Sequence, residues 1–194
     1  RMDALDNADA VRVLEALELT EKRLDDLIDV ISEKAEEYKN VPTMAFTHIQ
    51  PAEITTIGYR LSQTLQDLLD DREQLVFVKK NIRGKGMKGA VGTAASYKEL
   101  LSESGISSIE MENMVMDELG IKAYDAATQI YSRKQDLRII EALSSIACTL
   151  HKFSLDFRIL QSPPIGEFSE PFGKMQVGSS AMPFKRNPIN SEKI

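Results

Sequence analysis

Apolar residues recur along three stretches of the chain at the spacing of one helical face. In the first, Leu17, Leu24, Ile31 and Tyr38 fall every seven residues, with Leu27, Ile28 and Ala35 beside them, until Pro42 ends the run. In the second, Ile54, Leu61, Leu68, Leu75 and Ile82 repeat the step, with Ile57 and Leu65 between, up to the glycines at 84, 86 and 89. In the third, Ile139, Leu143, Ile146, Leu150, Phe153, Phe157 and Leu160 alternate steps of four and three. Seams of this kind belong to long helices packed close to parallel. Each predicts a helix of roughly 25–30 residues, about 40 Å at 1.5 Å per residue, where globular helices average about a dozen. The run DNAD at residues 6–9 supplies N-cap chemistry for the first. A shorter helix over residues 109–119 falls between the second and the third. No stretch alternates with a period of two. The predicted fold class is all-α, a bundle of long helices. Three such seams in so short a chain leave much apolar flank, which favours packing between subunits over a bundle closed within the chain.

Composition narrows the setting. With 194 residues, 42% hydrophobic and 28% charged, the chain is long enough for one sizeable core. A net charge of −6 argues against general affinity for nucleic acid or anionic membranes. The single cysteine, Cys148, excludes a disulfide framework and suits a reducing compartment, so a cytoplasmic protein without a signal peptide is expected. No apolar run approaches membrane-spanning length. The chain opens on Arg1 and stops just after an ordered-looking motif, as a piece of a longer protein would.

Three segments between the helices carry unusual residues. The segment TMAFTHIQPAE, residues 43–53, holds Thr47, His48 and Gln50 before Pro51. Pro51 suits the first turn of the second helix, which would put His48 at that helix's N-terminal mouth, where free N–H groups favour anions. A histidine that merely completes a turn fits equally well. His151, inside the third helix, reads as a structural or surface residue. The segment RGKGMKGAVGTAAS, residues 83–96, lies in a stretch where Lys79, Lys80, Arg83, Lys85, Lys88 and Lys98 meet no acidic residue. Glycine-rich and basic, it suggests an anion held against backbone N–H groups, although a solvated basic turn has the same composition, and it is not a Walker motif. In residues 174–193, Lys174, Lys185, Arg186 and Lys193 face only Glu192. Pro183 and Pro188 stiffen this stretch, Gly178 frees its backbone, and Ser179 and Ser180 lie near Lys185 and Asn187. A basic loop that closes over an anionic substrate has this character.

The last segment, GSSAMPFKRNPINSEKI, resembles the signature loop of the fumarase/aspartase superfamily, Gly-Ser-Ser-x-Met-Pro-x-Lys-x-Asn-Pro, at every fixed position. THIQPAE is similar to that superfamily's Thr-His-x-Gln-Pro-Ala segment, and GAVGT to its glycine-rich region. ATQIYSRK, at residues 127–134, is similar to the Thr-Gly-Gln-Thr-Tyr-Ser-Arg-Lys segment of the adenylosuccinate lyase branch, which MPFKRNP and SEK also fit. The resemblance runs from about residue 9 to the end and matches only the middle of a full-length member. It implies that residues 1–194 form the central helical-bundle domain, with the glycine-rich basic loop at 83–96 and the catalytic loop at 162–190. An N-terminal domain and C-terminal helices would then lie outside the chain.

The resemblance implies β-elimination of fumarate from adenylosuccinate, giving AMP, and from SAICAR (a succinyl-aminoimidazole-carboxamide ribotide), giving AICAR, without cofactor or metal. It assigns Ser179 as the base, Lys185 and Asn187 to the developing carbanion charge, His48 as the acid and Glu192 as its partner. Thr47 and Gln129 would bind substrate. Ser180 would offer a further hydroxyl or act structurally, and Lys193 stands where animal-type members often carry arginine, losing the bidentate fork. Members of the superfamily are homotetramers with sites shared between subunits. They also use a second histidine from an N-terminal segment not found here, so the chain alone is expected to be inactive. Argininosuccinate lyase, carboxymuconate cycloisomerase and a non-catalytic helical scaffold are the alternative readings.

Overall fold

The computed structural model describes residues 1–173 and 175–194. Lys174, counted above among the basic residues of the signature segment, lies outside the described residues. The elements in chain order are α1 (Met2–Glu37), β1 (Pro42–Thr47), β2 (Gln50–Thr56), α2 (Ile57–Lys80), β3 (Arg83–Gly84), α3 (Ala95–Leu100), α4 (Ser108–Leu119), β4 (Lys122–Ala123), α5 (Lys134–Gln161) and α6 (Ile189–Lys193). The three long helices stand where the apolar rows predict them. The chain divides into two units, Arg1–Leu143 and Ser144–Ile194.

In the first unit, α1 and α2 form an antiparallel pair along the predicted seams. Leu17, Leu24 and Ile31 of α1 and Leu61, Leu68 and Leu75 of α2 are buried. Charge pairs flank the seam: Arg72 reaches Asp25 and Glu21, and Lys79 pairs with Glu21. The ends of the predicted rows differ. Tyr38 caps α1 from outside the helix, and Ile54 is 79% exposed in β2. Local chemistry sets the element ends. The Thr56 hydroxyl accepts the Tyr59 N–H at the start of α2. Ser107 and Glu110 form a capping box at the start of α4, which Gly120 ends in a left-handed conformation.

Two expectations are corrected here. Residues 43–53 form an antiparallel hairpin, β1 on β2, joined at His48 and Ile49. Pro51 therefore lies in β2, α2 starts six residues later, and His48 is not at its N-terminal mouth. The hairpin escaped the periodicity because most of its side chains are exposed, so neither face carries an apolar row, and the register shifts between Met44 and Phe46. A second, parallel pairing of β3 with β4 is two residues long. The fold remains mostly helical, and among the described residues no helix is long and apolar enough to cross a membrane.

In the second unit, the polypeptide leaves α5 and turns back along its last residues. Gln161, at the end of α5, donates from Nε2 to the Arg186 carbonyl at 3.1 Å and accepts the Glu170 N–H at 2.8 Å. Phe157 packs against Phe153 and Phe168. The signature segment is thereby tied to the end of α5 at Arg186.

Candidate active site

The apolar row of α1 continues toward its N-terminus as Ala10, Asn7 and Asp3, on the same helical face as Leu17. At that end the stripe changes from apolar to polar, and Asp3, Asp6 and Asn7 are all buried. Each binds a loop. The Asn7 carboxamide takes both backbone groups of Gly86: it accepts the N–H at 2.9 Å and donates to the carbonyl at 3.2 Å. Asp6 accepts the Tyr131 N–H at 3.0 Å and Nη2 of Arg133 at 2.9 Å. Asp3 receives the Lys85 ammonium, the Gly89 N–H at 3.0 Å and the Tyr97 hydroxyl at 2.8 Å.

These contacts show that part of the basic, glycine-rich stretch is already engaged within the protein. Lys85 is fully buried against Asp3 and the Gly89 carbonyl. Lys88 sends its ammonium to both Glu112 oxygens, at 2.6 and 2.8 Å, and Glu112 also accepts the Met87 N–H at 2.7 Å. Lys79 is held by Glu21. The Lys85 and Lys88 ammonium groups and the Met87 and Gly89 N–H groups are turned to the protein's own carboxylates, Asp3 of α1 and Glu112 of α4. Burial pushes the Asp3 carboxyl up; the hydrogen bonds from Lys85 and Tyr97, the Lys85 charge and the Gly89 N–H together outweigh it and hold the carboxyl below its ordinary value. The Tyr97 hydroxyl is raised, first by burial and then by donation to Asp3.

The glycine-rich loop and the segment around Gln129 meet. A Cβ at Gly92 would lie 1.9 Å from the Ala127 carbonyl oxygen, and Gly92 has φ +88°. Both the close approach and the left-handed backbone require glycine there. An open cleft of about 460 Å³ forms beside this junction, lined by Asp3, Gly89, Ser96, Tyr97 and Gln129 together with the chain's first residues. Gln129 is thus placed at a cavity. Thr47 and His48 do not line it; they sit exposed at the tip of the hairpin. His48 and Ile49 have φ of 53° and 61°, the left-handed conformation at both central positions of a two-residue turn. An isoleucine at such a position is strained.

The remaining candidates lie in the second unit. Ser179 is half-buried, and its hydroxyl accepts the Met182 N–H at 3.3 Å. Lys185 bends back so far that its carbonyl oxygen would lie 1.5 Å from a Cβ on Gly178. Asn187 donates from Nδ2 to the Gly178 carbonyl at 3.4 Å. One folded loop therefore gathers Gly178, Ser179, Lys185 and Asn187, while the Ser180 and Lys185 side chains stand in solvent. Glu192 and Lys193 are exposed on α6.

Sequence reasoning missed the residue that holds α6. Glu170 accepts from the Asn190 N–H and side chain at 3.1 and 3.0 Å and from the Ser191 N–H and hydroxyl, both at 2.7 Å. Burial raises its carboxyl, and these four donors lower it further than burial raises it. Asp3, Asp6 and Asn7 were also missed as anchors. Their signal was present: polar side chains on the prolongation of an apolar stripe. Among the described residues, no three His, Cys, Asp or Glu side chains gather where they could hold a metal ion.

A protein-family model described as Lyase matches residues 1–194. Curated proteins named adenylosuccinate lyase are similar throughout the chain. The protein of Schistosoma mansoni is 40% identical over 97% of this chain and 39% of its own length. That of Saccharomyces cerevisiae is 37% identical over 97% and 39%, and that of Pyrococcus horikoshii 38% over 99% and 41%. The chain thus spans about two fifths of the length of these relatives. Among solved structures, the 3-carboxy-cis,cis-muconate lactonizing enzyme of Pseudomonas putida superposes with a TM-score of 0.83 at 25% identity, over 98% of this chain and 41% of its own.

Proposed function

The chain belongs to this lyase family, within the fumarase/aspartase superfamily, and from that premise we propose that it carries the chemistry of an adenylosuccinate lyase, releasing fumarate from adenylosuccinate and from SAICAR. The observation that carries the reading is the 37–40% identity to curated adenylosuccinate lyases of an animal, a fungus and an archaeon over nearly the whole chain, against 25% to the muconate enzyme of the same fold.

The reaction is a β-elimination. Ser179 takes a proton from the carbon beside one succinyl carboxylate, and the electron pair delocalises into that carboxylate. The C–N bond then breaks, its electrons leave with nitrogen, and His48 protonates the nitrogen. A serine hydroxyl acts as a base only where positive potential favours its alkoxide, and Lys185 in the same loop supplies that potential. Lys185 and Asn187 hold the charge that develops on the carboxylate. Donors of this kind are worth about 3 kcal/mol each at the transition state. The His48 imidazole can carry the proton this step needs, and Glu192 pairs with its ring. Thr47 and Gln129 bind the succinyl part and its neighbours, Ser180 offers a further hydroxyl to a carboxylate, and Lys193 keeps a positive charge without the bidentate fork of an arginine. No cofactor or metal enters these steps.

We further propose a cytoplasmic homotetramer whose sites are assembled from several subunits. Exposed apolar side chains along α5, among them Leu137, Ile140 and Leu155, support such packing. The test is a substrate panel on the purified full-length protein, following fumarate. Adenylosuccinate and SAICAR should both yield it, and Ser179→Ala should abolish that yield while the assembly persists. Turnover of argininosuccinate without adenylosuccinate would overturn the substrate, and an active Ser179→Ala would overturn the base.

A further inference from the structure

Gln129 sits at the apex of a turn that contacts from distant parts of the chain hold on both sides. Two residues before it, the Ala127 carbonyl is pressed against Gly92. Two residues after it, the Tyr131 N–H is bound by Asp6, which is 1% exposed. Between these points the Thr128 N–H donates to the Ile130 carbonyl at 3.2 Å and folds the chain around Gln129. Asp6 also draws in the Arg133 guanidinium, whose carbon lies 4.2 Å from the centroid of the Tyr131 ring. The ring itself is fixed by stacking on Tyr124 and by its hydroxyl, which donates to Asp136 at 2.8 Å. The Gln129 side chain is left exposed at the cleft beside Ser96 and Tyr97.

We infer that Asp6 is a positioning residue for the reaction, setting Gln129 against the substrate through its grip on the Tyr131 N–H and on Arg133. The inference rests on the reading that Gln129 binds the succinyl part. A carboxamide recognises such a group only where the backbone beneath it is fixed to within about 0.5 Å. A buried carboxylate is a costly way to fill a helix face that Leu17 and Leu24 continue with apolar side chains. What it provides is one directed acceptor for two groups of the Gln129 segment.

The test is a double-mutant cycle on the full-length enzyme. Asp6→Asn keeps an acceptor for the Tyr131 N–H and removes the charge facing Arg133. It should raise the KM for adenylosuccinate up to about tenfold, as the loss of one hydrogen bond does, with kcat within about twofold. Gln129→Ala should do at least as much, and the double variant should be no worse than Gln129→Ala alone, because nothing remains to be positioned. An unchanged KM in Asp6→Asn, or losses that multiply in the double variant, would overturn the inference. If Asp6→Asn does not fold, Arg133→Gln, a change on a side chain that is 43% exposed, takes its place in the same cycle with the same criterion. A native enzyme inactive on adenylosuccinate refutes the proposed function. A native enzyme that turns it over, with multiplying losses, refutes only the role of Asp6.

Discussion

Lys85 and Asp3 stand 82 positions apart in the chain and are joined in a buried ion pair, with the Tyr97 hydroxyl and the Gly89 N–H on the same carboxylate. This pair ties the glycine-rich loop to the first turn of α1. Removing one partner strands the other charge away from water. Lys85→Met should therefore cost about 3 kcal/mol of stability, at the lower end for such pairs because Asp3 keeps two neutral donors. The midpoint of urea unfolding measures it. A loss below about 1 kcal/mol, the level of a surface pair, would show that the pair is not sealed from solvent.

The same carboxylate gives a pH dependence of known sign. The Asp3 carboxyl lies below its ordinary value in the folded protein, so its contribution is fully present above the ordinary carboxylate range. It is lost as pH falls below about 4 and through the folded value. Asp3→Asn should lower stability at neutral pH and flatten its decline at acid pH. Unfolding free energies from pH 7 to pH 3 for both proteins check this, and parallel curves would contradict it.

Gly178 and the Lys185 carbonyl leave no room for a methyl group between them. Gly178→Ala must open the loop that holds Ser179, Lys185 and Asn187, while little of the core depends on that loop. The expected outcome is a loss in kcat/KM of about 100-fold or more, the usual consequence of misplacing reacting groups by an ångström. Thermal unfolding should stay essentially unchanged. Steady-state kinetics and calorimetry on one preparation separate the two effects.

Ile49 is 74% exposed at φ 61°, so it contributes strain and little packing. Ile49→Gly should relieve that strain and raise stability by about 1 kcal/mol, after the entropy cost of glycine is subtracted. A thermal melt measures the gain. A destabilised variant would mean that the turn at His48 relies on contacts of the isoleucine side chain.

The candidate residues most legible in the sequence are those that lie close together along the chain. Ser179, Lys185 and Asn187 belong to one short segment, and the structure folds that segment into one loop. The polar anchors were harder to see. Asp6 and Asn7 have good N-cap composition, and only their position on the buried face of α1 reveals a different task. The partners of Lys79, Lys85 and Lys88 in the basic run at 79–98 were hidden for a related reason. Its own neighbourhood contains no carboxylate, whereas Glu21, Asp3 and Glu112 arrive from α1 and α4 to neutralise Lys79, Lys85 and Lys88.

Helical periodicity depends only on the 3.6-residue turn and on which side chains avoid water. The sequence alone therefore determined α1, α2 and α5, the rows that pack α1 on α2, and the loops on which the reactive residue types lie. Pairing between residues 82 or 127 positions apart depends on which helix end meets which loop, and no local pattern encodes it. Tertiary structure alone decided that the lysines of the glycine-rich loop face inward, that Gln129 opens on a cleft and that His48 caps a strained hairpin. For the lysines the physical reason is desolvation. A charge or N–H group taken from water must find a partner wherever the fold supplies one, and here the fold supplies it from the first turns of α1 and from α4.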